Sequence, residues 1–158
     1  MPHFGGAFLY REVLLKNVVF LTDDFYRRCV ERGYREIERK RDRPYFVLIA
    51  EIDGVTWGLP FRSSIKHPHA FWTNREEGCG IDYSKAVVIE NAADIDREKV
   101  PHIRDGEFEA VKGHEREIRK GFKSYVKRYK RAKASGHPRY ASLVQFSTLR
   151  NYEHLLGM

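Results

Sequence analysis

Arg62, Ser63, Ser64, Lys66, His67 and His69 crowd into one short stretch, RSSIKHPH, and Phe71, Trp72 and Thr73 follow at once. These side chains suit cleavage of RNA without a metal. RNA carries its own nucleophile, the 2′-hydroxyl. The protein need only align that oxygen with the phosphorus, neutralise charge on the phosphoryl oxygens and manage two protons. Arg62 and Lys66 can stabilise charge, and the hydroxyls of Ser63 and Ser64 can donate to a phosphate. His67 or His69 can serve as acid or base near neutral pH. Phe71 and Trp72 offer faces for unpaired bases. Taken singly, each has a plainer explanation: Trp72 in a core, Ser63 capping a turn, His69 on the surface. Their combination with a basic chain is what points to nucleic acid.

Other chemistries fit less well. The sequence contains no HExxH, no Cys-x-x-Cys and no glycine-rich phosphate loop with its lysine. His67 and His69 stand two apart around a proline with no evident third ligand, so neither a metal nor any other cofactor is expected. Ser63 and Ser64 lack the Gly-x-Ser-x-Gly elbow of hydrolases. A chain of 158 residues, 42% apolar and 32% charged, is expected to fold as one globular domain. Its net charge of +7 favours an anionic partner over a merely basic surface. Cys29 and Cys79 lie far apart without metal-ligand spacing, which fits reduced thiols in a cytoplasm. No apolar run reaches the ~18 residues of a membrane span. No secretory signal pattern opens the chain.

The elements that must position the stretch are legible around it. Residues 46–52 and 55–61 are apolar runs joined by Asp53-Gly54, the strongest short-range hairpin signal. The segment 62–73 reads as neither strand nor helix, a polar loop presented by a rigid hairpin. Upstream, 18–21 reads as a strand. Thr22 reads as a helix N-cap with Asp23 and Asp24 in the first turn, and Phe25, Tyr26, Cys29 and Val30 at helical spacing up to Gly33. The charged run 34–43 suggests a second short helix ending before Pro44. Downstream come a polar loop over 74–80 and a buried strand over 86–89. One long helix is expected over 105–134, with Phe108, Val111, Ile118, Phe122, Tyr125, Tyr129 and Ala132 on one stripe. Gly113 and Gly121 weaken it by about 1 kcal/mol each against alanine. Its other faces are dense in Lys and Arg, including Lys120, Lys123, Lys127, Arg128 and Arg131, which suits contact with a nucleic-acid backbone. A last helix is expected over 140–156, turning Leu143, Phe146, Leu149, Tyr152 and Leu156 inward. The order predicts an α+β fold without βαβ alternation.

Four segments, FLTDDFY, RPYFVLIAEIDG, LPFRSSIKHPHAFWT and GIDYSKAVVIE, give the chain a resemblance to a known family. It resembles the toxins of type III toxin–antitoxin systems, the ToxN-like endoribonucleases, and their TenpN branch most closely. The resemblance covers 18–158 as one domain and leaves 1–17 as a lead-in outside it. It implies a compact, strongly bent antiparallel sheet, an SH3-like barrel related to the Kid/MazF toxins, decorated with helices. It also implies a metal-independent endoribonuclease leaving a 2′,3′-cyclic phosphate and a 5′-hydroxyl. Its partner would be a structured repeat RNA antitoxin, cut from a repetitive precursor and held in a closed RNA–protein assembly. Cellular or phage RNA would be the substrate, and growth arrest and phage defence the role. On this resemblance Arg62, Ser63, Ser64, Lys66 and His67 form the catalytic set. Arg41, Arg43, Tyr45, His69, Trp72, Thr73 and the basic helix bind RNA. Arg62 departs from the founding branch, which has a hydroxyl residue there. Arg41 and Arg43 are the nearest matches to a lysine that branch carries ahead of the hairpin. Two other readings fit the same residues: an RNA-binding protein without catalysis, and a MazF-like ribonuclease toxin held by a protein antitoxin.

Overall fold

The computed structural model describes residues 17–37 and 47–158. Arg41, Arg43 and Tyr45 lie outside the described residues, as do 1–16 of the lead-in. The short helix expected over 34–43 lies largely outside them too, and its first residues, 34–37, are not helical.

The fold is α+β. Among the described residues seven strands form one antiparallel sheet: β1 (Val18–Leu21), β2 (Val47–Ile52), β3 (Val55–Arg62), β4 (Ala70–Asn74), β5 (Cys79–Asp82), β6 (Val87–Val88) and β7 (Ile95–Asp96). They run in the order β4-β5-β3-β2-β1-β7, with β6 also against β3. Among the described residues the terminal strands β4 and β7 do not pair with each other, so the sheet is open. Among the described residues four α-helices accompany it: α1 (Asp23–Glu31), α2 (Asp105–Val111), α3 (Glu115–Ser135) and α4 (Ala141–Gln145). Among the described residues no helix is long and apolar enough to cross a membrane.

The β2–β3 hairpin is the one the sequence predicts. Asp53 and Gly54 have φ of 52° and 79°, the two positive angles of a type I′ turn. The register runs from Ile52 opposite Val55 to Val47 opposite Pro60. β2 is apolar almost without interruption because both faces of the sheet are covered. Leu48, Ala50 and Ile52 join Trp57, Leu59 and Phe61 beneath Ile118, Phe122, Tyr125 and Tyr129 of α3. Val47 faces the other way, with Val19, Leu21, Val87 and Ile89 against Phe25, Tyr26 and Cys29 of α1.

Thr22 caps α1 as expected, its hydroxyl accepting from the Phe25 amide at 3.1 Å. Val30 does not join the core and is 76% exposed. At 100° per residue it falls on the flank of a stripe centred on Phe25 and Cys29.

The long helix expected over 105–134 is two helices. Gly113 adopts φ +76°, a left-handed conformation that ends α2, and α3 starts two residues later. All seven stripe residues from Phe108 to Ala132 are nonetheless buried. The last helix expected over 140–156 is also corrected. It breaks into α4 and the 3-10 turns Pro138–Tyr140, Thr148–Asn151 and Glu153–Leu155. Tertiary hydrogen bonds at Ser147 and Thr148 supply the reason. Tyr125 Oη donates to Ser147 Oγ at 2.6 Å, and Thr148 Oγ1 donates to the carbonyls of Ser84 and Ala86. Ser147 Oγ also accepts from the Leu149 amide at 3.2 Å, and local hydroxyl bonding of this kind competes with a continuous helix. Leu149 and Tyr152 are buried, whereas Phe146 is 51% exposed.

Gly121 stays inside α3 because nothing larger fits. A Cβ there would run into the phenol of Tyr83, which donates to the Ile118 carbonyl at 2.9 Å. Gly121→Ala is therefore expected to destabilise the fold by about 1–2 kcal/mol, overpacking outweighing the helix-propensity gain. Urea unfolding measures it; a raised midpoint would show that Tyr83 yields freely.

Candidate functional site

The functional stretch is more regular than its composition suggests. β3 runs on to Arg62, and β4 takes in Ala70 to Asn74, so part of the expected 62–73 loop is strand. Pairing with β5 imposes this: Ala70 stands opposite Asp82, Phe71 opposite Ile81 and Trp72 opposite Gly80. The loop expected over 74–80 shortens accordingly, since Cys79 and Gly80 belong to β5.

Register then builds the site. Arg62 on β3 pairs with Gly80 on β5, so Asp82, two residues on, shares its face diagonally. Gly80 is glycine because a Cβ there would run into the Phe71 backbone of β4, and Arg62 Nη1 donates to Asp82 Oδ2 at 2.7 Å. Asp82 is completely buried. Its Oδ1 accepts from the Ser84 amide at 2.9 Å and from Ser84 Oγ at 2.6 Å. His67 Nε2 lies 3.2 Å from Asp82 Oδ2 and 3.1 Å from Ser84 Oγ. Burial alone would raise the Asp82 carboxyl, but hydrogen bonds from His67, Ser84 and Arg62 outweigh it and hold it below the ordinary carboxylate value.

The loop itself fixes both histidines. The His69 amide donates to His67 Nδ1 at 3.0 Å. An accepting Nδ1 places the ring proton on Nε2, directed at Asp82. The Tyr83 amide donates to the His69 carbonyl at 3.0 Å, tying the loop to the exit of β5. The His69 ring stacks on His67 at 5.5 Å and lies tilted against Tyr125 at 5.3 Å. Burial, with the charge of Arg128 nearby, pushes the His69 imidazole below its ordinary value. His69 thus favours the neutral form.

Ser84, His67 and Asp82 superficially suggest a nucleophilic triad, but the geometry opposes it. Asp82 and Ser84 share the same histidine nitrogen, Nε2, and the Ser84 hydroxyl donates to the carboxylate. A triad needs the two ring nitrogens to serve acid and nucleophile separately. Among the described residues, no three or more His, Cys, Asp or Glu side chains form a group that could hold a metal ion.

His69 opens onto a cleft of about 790 Å³ walled by α3 and the turn after it. Lys127, Arg128, Arg131 and Arg139 line it together with Ser124 and Tyr140. Three of the five helix cations expected to meet RNA therefore share one cavity with His69. Lys120 is exposed elsewhere on α3, and Lys123 borders a separate hollow with Val55 and Leu156. Ser63, Ser64 and Lys66 are exposed on the loop and line neither this cleft nor its neighbour. Ser64 holds φ +55°, and the adjoining Ile65 amide donates to the Gly78 carbonyl at 2.9 Å. Trp72 is half-buried on β4 with the Arg75 guanidinium 5.7 Å from its ring centre. Thr73 sits at an irregularity in the β4–β5 register, its buried hydroxyl without a hydrogen-bond partner among the described residues.

Asp82, Ser84, Arg139 and Tyr140 are site residues that the sequence reading misses. An acidic residue closing an apolar run two places before a serine is the signal of a side-chain-capped turn, and Asp82-Tyr83-Ser84 carries it. Arg139 and Tyr140 carry no local signal. No family model, curated protein or solved structure matches the chain.

Asp82→Asn removes the charge on which Arg62 and His67 converge. It is expected to cost about 3–5 kcal/mol, the range for breaking a buried ion pair. A carboxyl lowered in the folded state contributes stability that is present above its unfolded pKa of about 3.9 and lost as pH falls through the folded value. Urea midpoints of wild type and variant should therefore converge below about pH 4. A constant gap down to pH 3 would mean the carboxylate is not held low.

Proposed function

We propose that this chain is a metal-independent endoribonuclease acting through the 2′-hydroxyl of its substrate. The observation that carries the reading is the position of His69. A partly buried imidazole, biased to its neutral form, forms the wall of a cleft lined by Lys127, Arg128, Arg131 and Arg139. The cations suit a phosphodiester, and the neutral ring suits a proton acceptor.

In this mechanism the neutral His69 ring takes the 2′-hydroxyl proton. O2′ forms its bond to phosphorus, and the bond from phosphorus to the 5′-oxygen breaks. The departing 5′-oxygen takes a proton from solvent water and leaves as a 5′-hydroxyl, while the phosphate closes to a 2′,3′-cyclic ester. Arg128 and its neighbours neutralise the non-bridging oxygens. His67, engaged at both nitrogens, is a positioning residue rather than the base. Arg62 acts through Asp82. Ser63, Ser64 and Lys66 present exposed donors on the loop that leads to His67.

The family resemblance extends the proposal. The chain would be the toxin of a type III system, its open sheet a relative of the Kid/MazF barrel. It would act on cellular or phage RNA in the cytoplasm and be restrained by a structured repeat RNA, gripped in part by the α3 cations. The engagement of both His67 nitrogens by protein groups favours one other reading, an RNA-binding protein without catalysis.

Purified chain incubated with RNA in excess chelator separates the two. Cleavage should persist and leave cyclic phosphate ends. His69→Asn should slow it by about 10²- to 10⁴-fold, the usual weight of a general base. The acid limb of the rate profile should lie below the ordinary histidine pKa of about 6.5, because burial holds His69 neutral to lower pH. Intact RNA would favour the binder, and magnesium-dependent 5′-phosphate ends would overturn the mechanism.

A further inference from the structure

A second cavity adjoins the cationic cleft, and its chemistry differs. It encloses about 380 Å³, within the range of roughly 300–1,000 Å³ of small-molecule sites. Pro68, Tyr125, Tyr140, Leu143 and Phe146 supply apolar walls. It shares His69, Arg139, Tyr140 and Leu143 with the cleft, so the two are neighbours across one partition.

Ser84 and Lys85 on its inner wall are already engaged. Ser84 Oγ donates to Asp82. Lys85 Nζ donates to Glu36 Oε2 at 2.8 Å and to the Phe146 carbonyl at 2.9 Å. Apart from Arg139, which it shares with the cleft, the slot offers mostly flat apolar surface. The Arg139 guanidinium lies 4.6 Å over the Tyr140 ring and covers one of its faces. Phe146, half-exposed and outside the core, stands at the same slot. Ser142 and Arg139 bring hydrogen-bonding groups to its edge.

We propose that this slot is a nucleobase subsite. It takes one unpaired base of an RNA strand, its face against Tyr140 and its edge toward Ser142 and Arg139, while the adjoining phosphate lies in the cationic cleft. A base held in a duplex cannot enter, because its faces are already stacked and its edge paired. The inference rests on the cleft receiving RNA, and it does not require that the RNA be cut.

Binding of adenosine, guanosine, cytidine and uridine 3′-monophosphates to the full chain, set against ribose 5-phosphate as a base-free probe, tests this by calorimetry. At least one nucleotide should bind about fivefold or more tightly than the sugar phosphate, the low end of one base–aromatic stack. Tyr140→Ala should erase that difference and Tyr140→Phe should keep it. Leu143→Trp should also erase it by filling the slot, which covers the case in which loss of the tyrosine perturbs the fold. Equal binding of nucleotides and sugar phosphate by the wild type would overturn the proposal. So would a base preference that survives in both Tyr140→Ala and Leu143→Trp. A chain that shows the base preference yet leaves RNA intact in chelator loses only the nuclease reading. A chain that cuts RNA but binds base-free phosphate equally well loses only the slot.

Discussion

A carboxylate with no exposure to water is the constraint around which this end of the molecule is arranged. Removing such a charge from water costs several kcal/mol unless partners replace the lost hydration. Asp82 meets that demand with Arg62 from the end of β3, His67 from the following loop, and the amide and hydroxyl of Ser84 just beyond β5. Three separate chain segments must therefore arrive together. The β3–β5 register delivers Arg62, and the capped turn after Asp82 delivers Ser84. His67 completes the shell only when the loop folds back over the sheet.

That last requirement links stability to chemistry. With Nε2 committed to the carboxylate, Nδ1 of His67 is left to accept the His69 amide, and the turn is set. His69 then packs between His67 and Tyr125, partly out of water, facing the α3 cations. The residue best placed for proton transfer is thus held by a chain of contacts that begins at a buried ion pair. Catalytic side chains on loops gain precision from such support.

Much of this was legible in the sequence where the signals are local. Asp53-Gly54 announced the hairpin, Thr22 the cap of α1, and the spacing from Phe108 to Ala132 the buried stripe. The residue types in RSSIKHPH pointed to the segment that carries His67 and His69, and Lys127, Arg128 and Arg131 border the same cleft as His69. What remained hidden is non-local. Nothing near Asp82 reveals that Arg62 will lie across from it, because only strand register brings them together. The exposure of Ser63, Ser64 and Lys66 away from the cleft was equally invisible, since composition does not show which side of a loop faces a cavity. The C-terminal helix failed as an expectation because buried hydroxyl bonds at Ser147 and Thr148, made to distant residues, overrode a helical apolar pattern.

The central claim is that the Asp82 shell fixes the histidine pair, and imidazole nitrogen NMR across a pH series tests it most directly. Neutral His67 should show its proton on Nε2 and an accepting Nδ1, and His69 should titrate below the ordinary histidine value of about 6.5. A His67 ring protonated on Nδ1 in its neutral form, or a His69 that titrates at or above the ordinary value, would contradict the account.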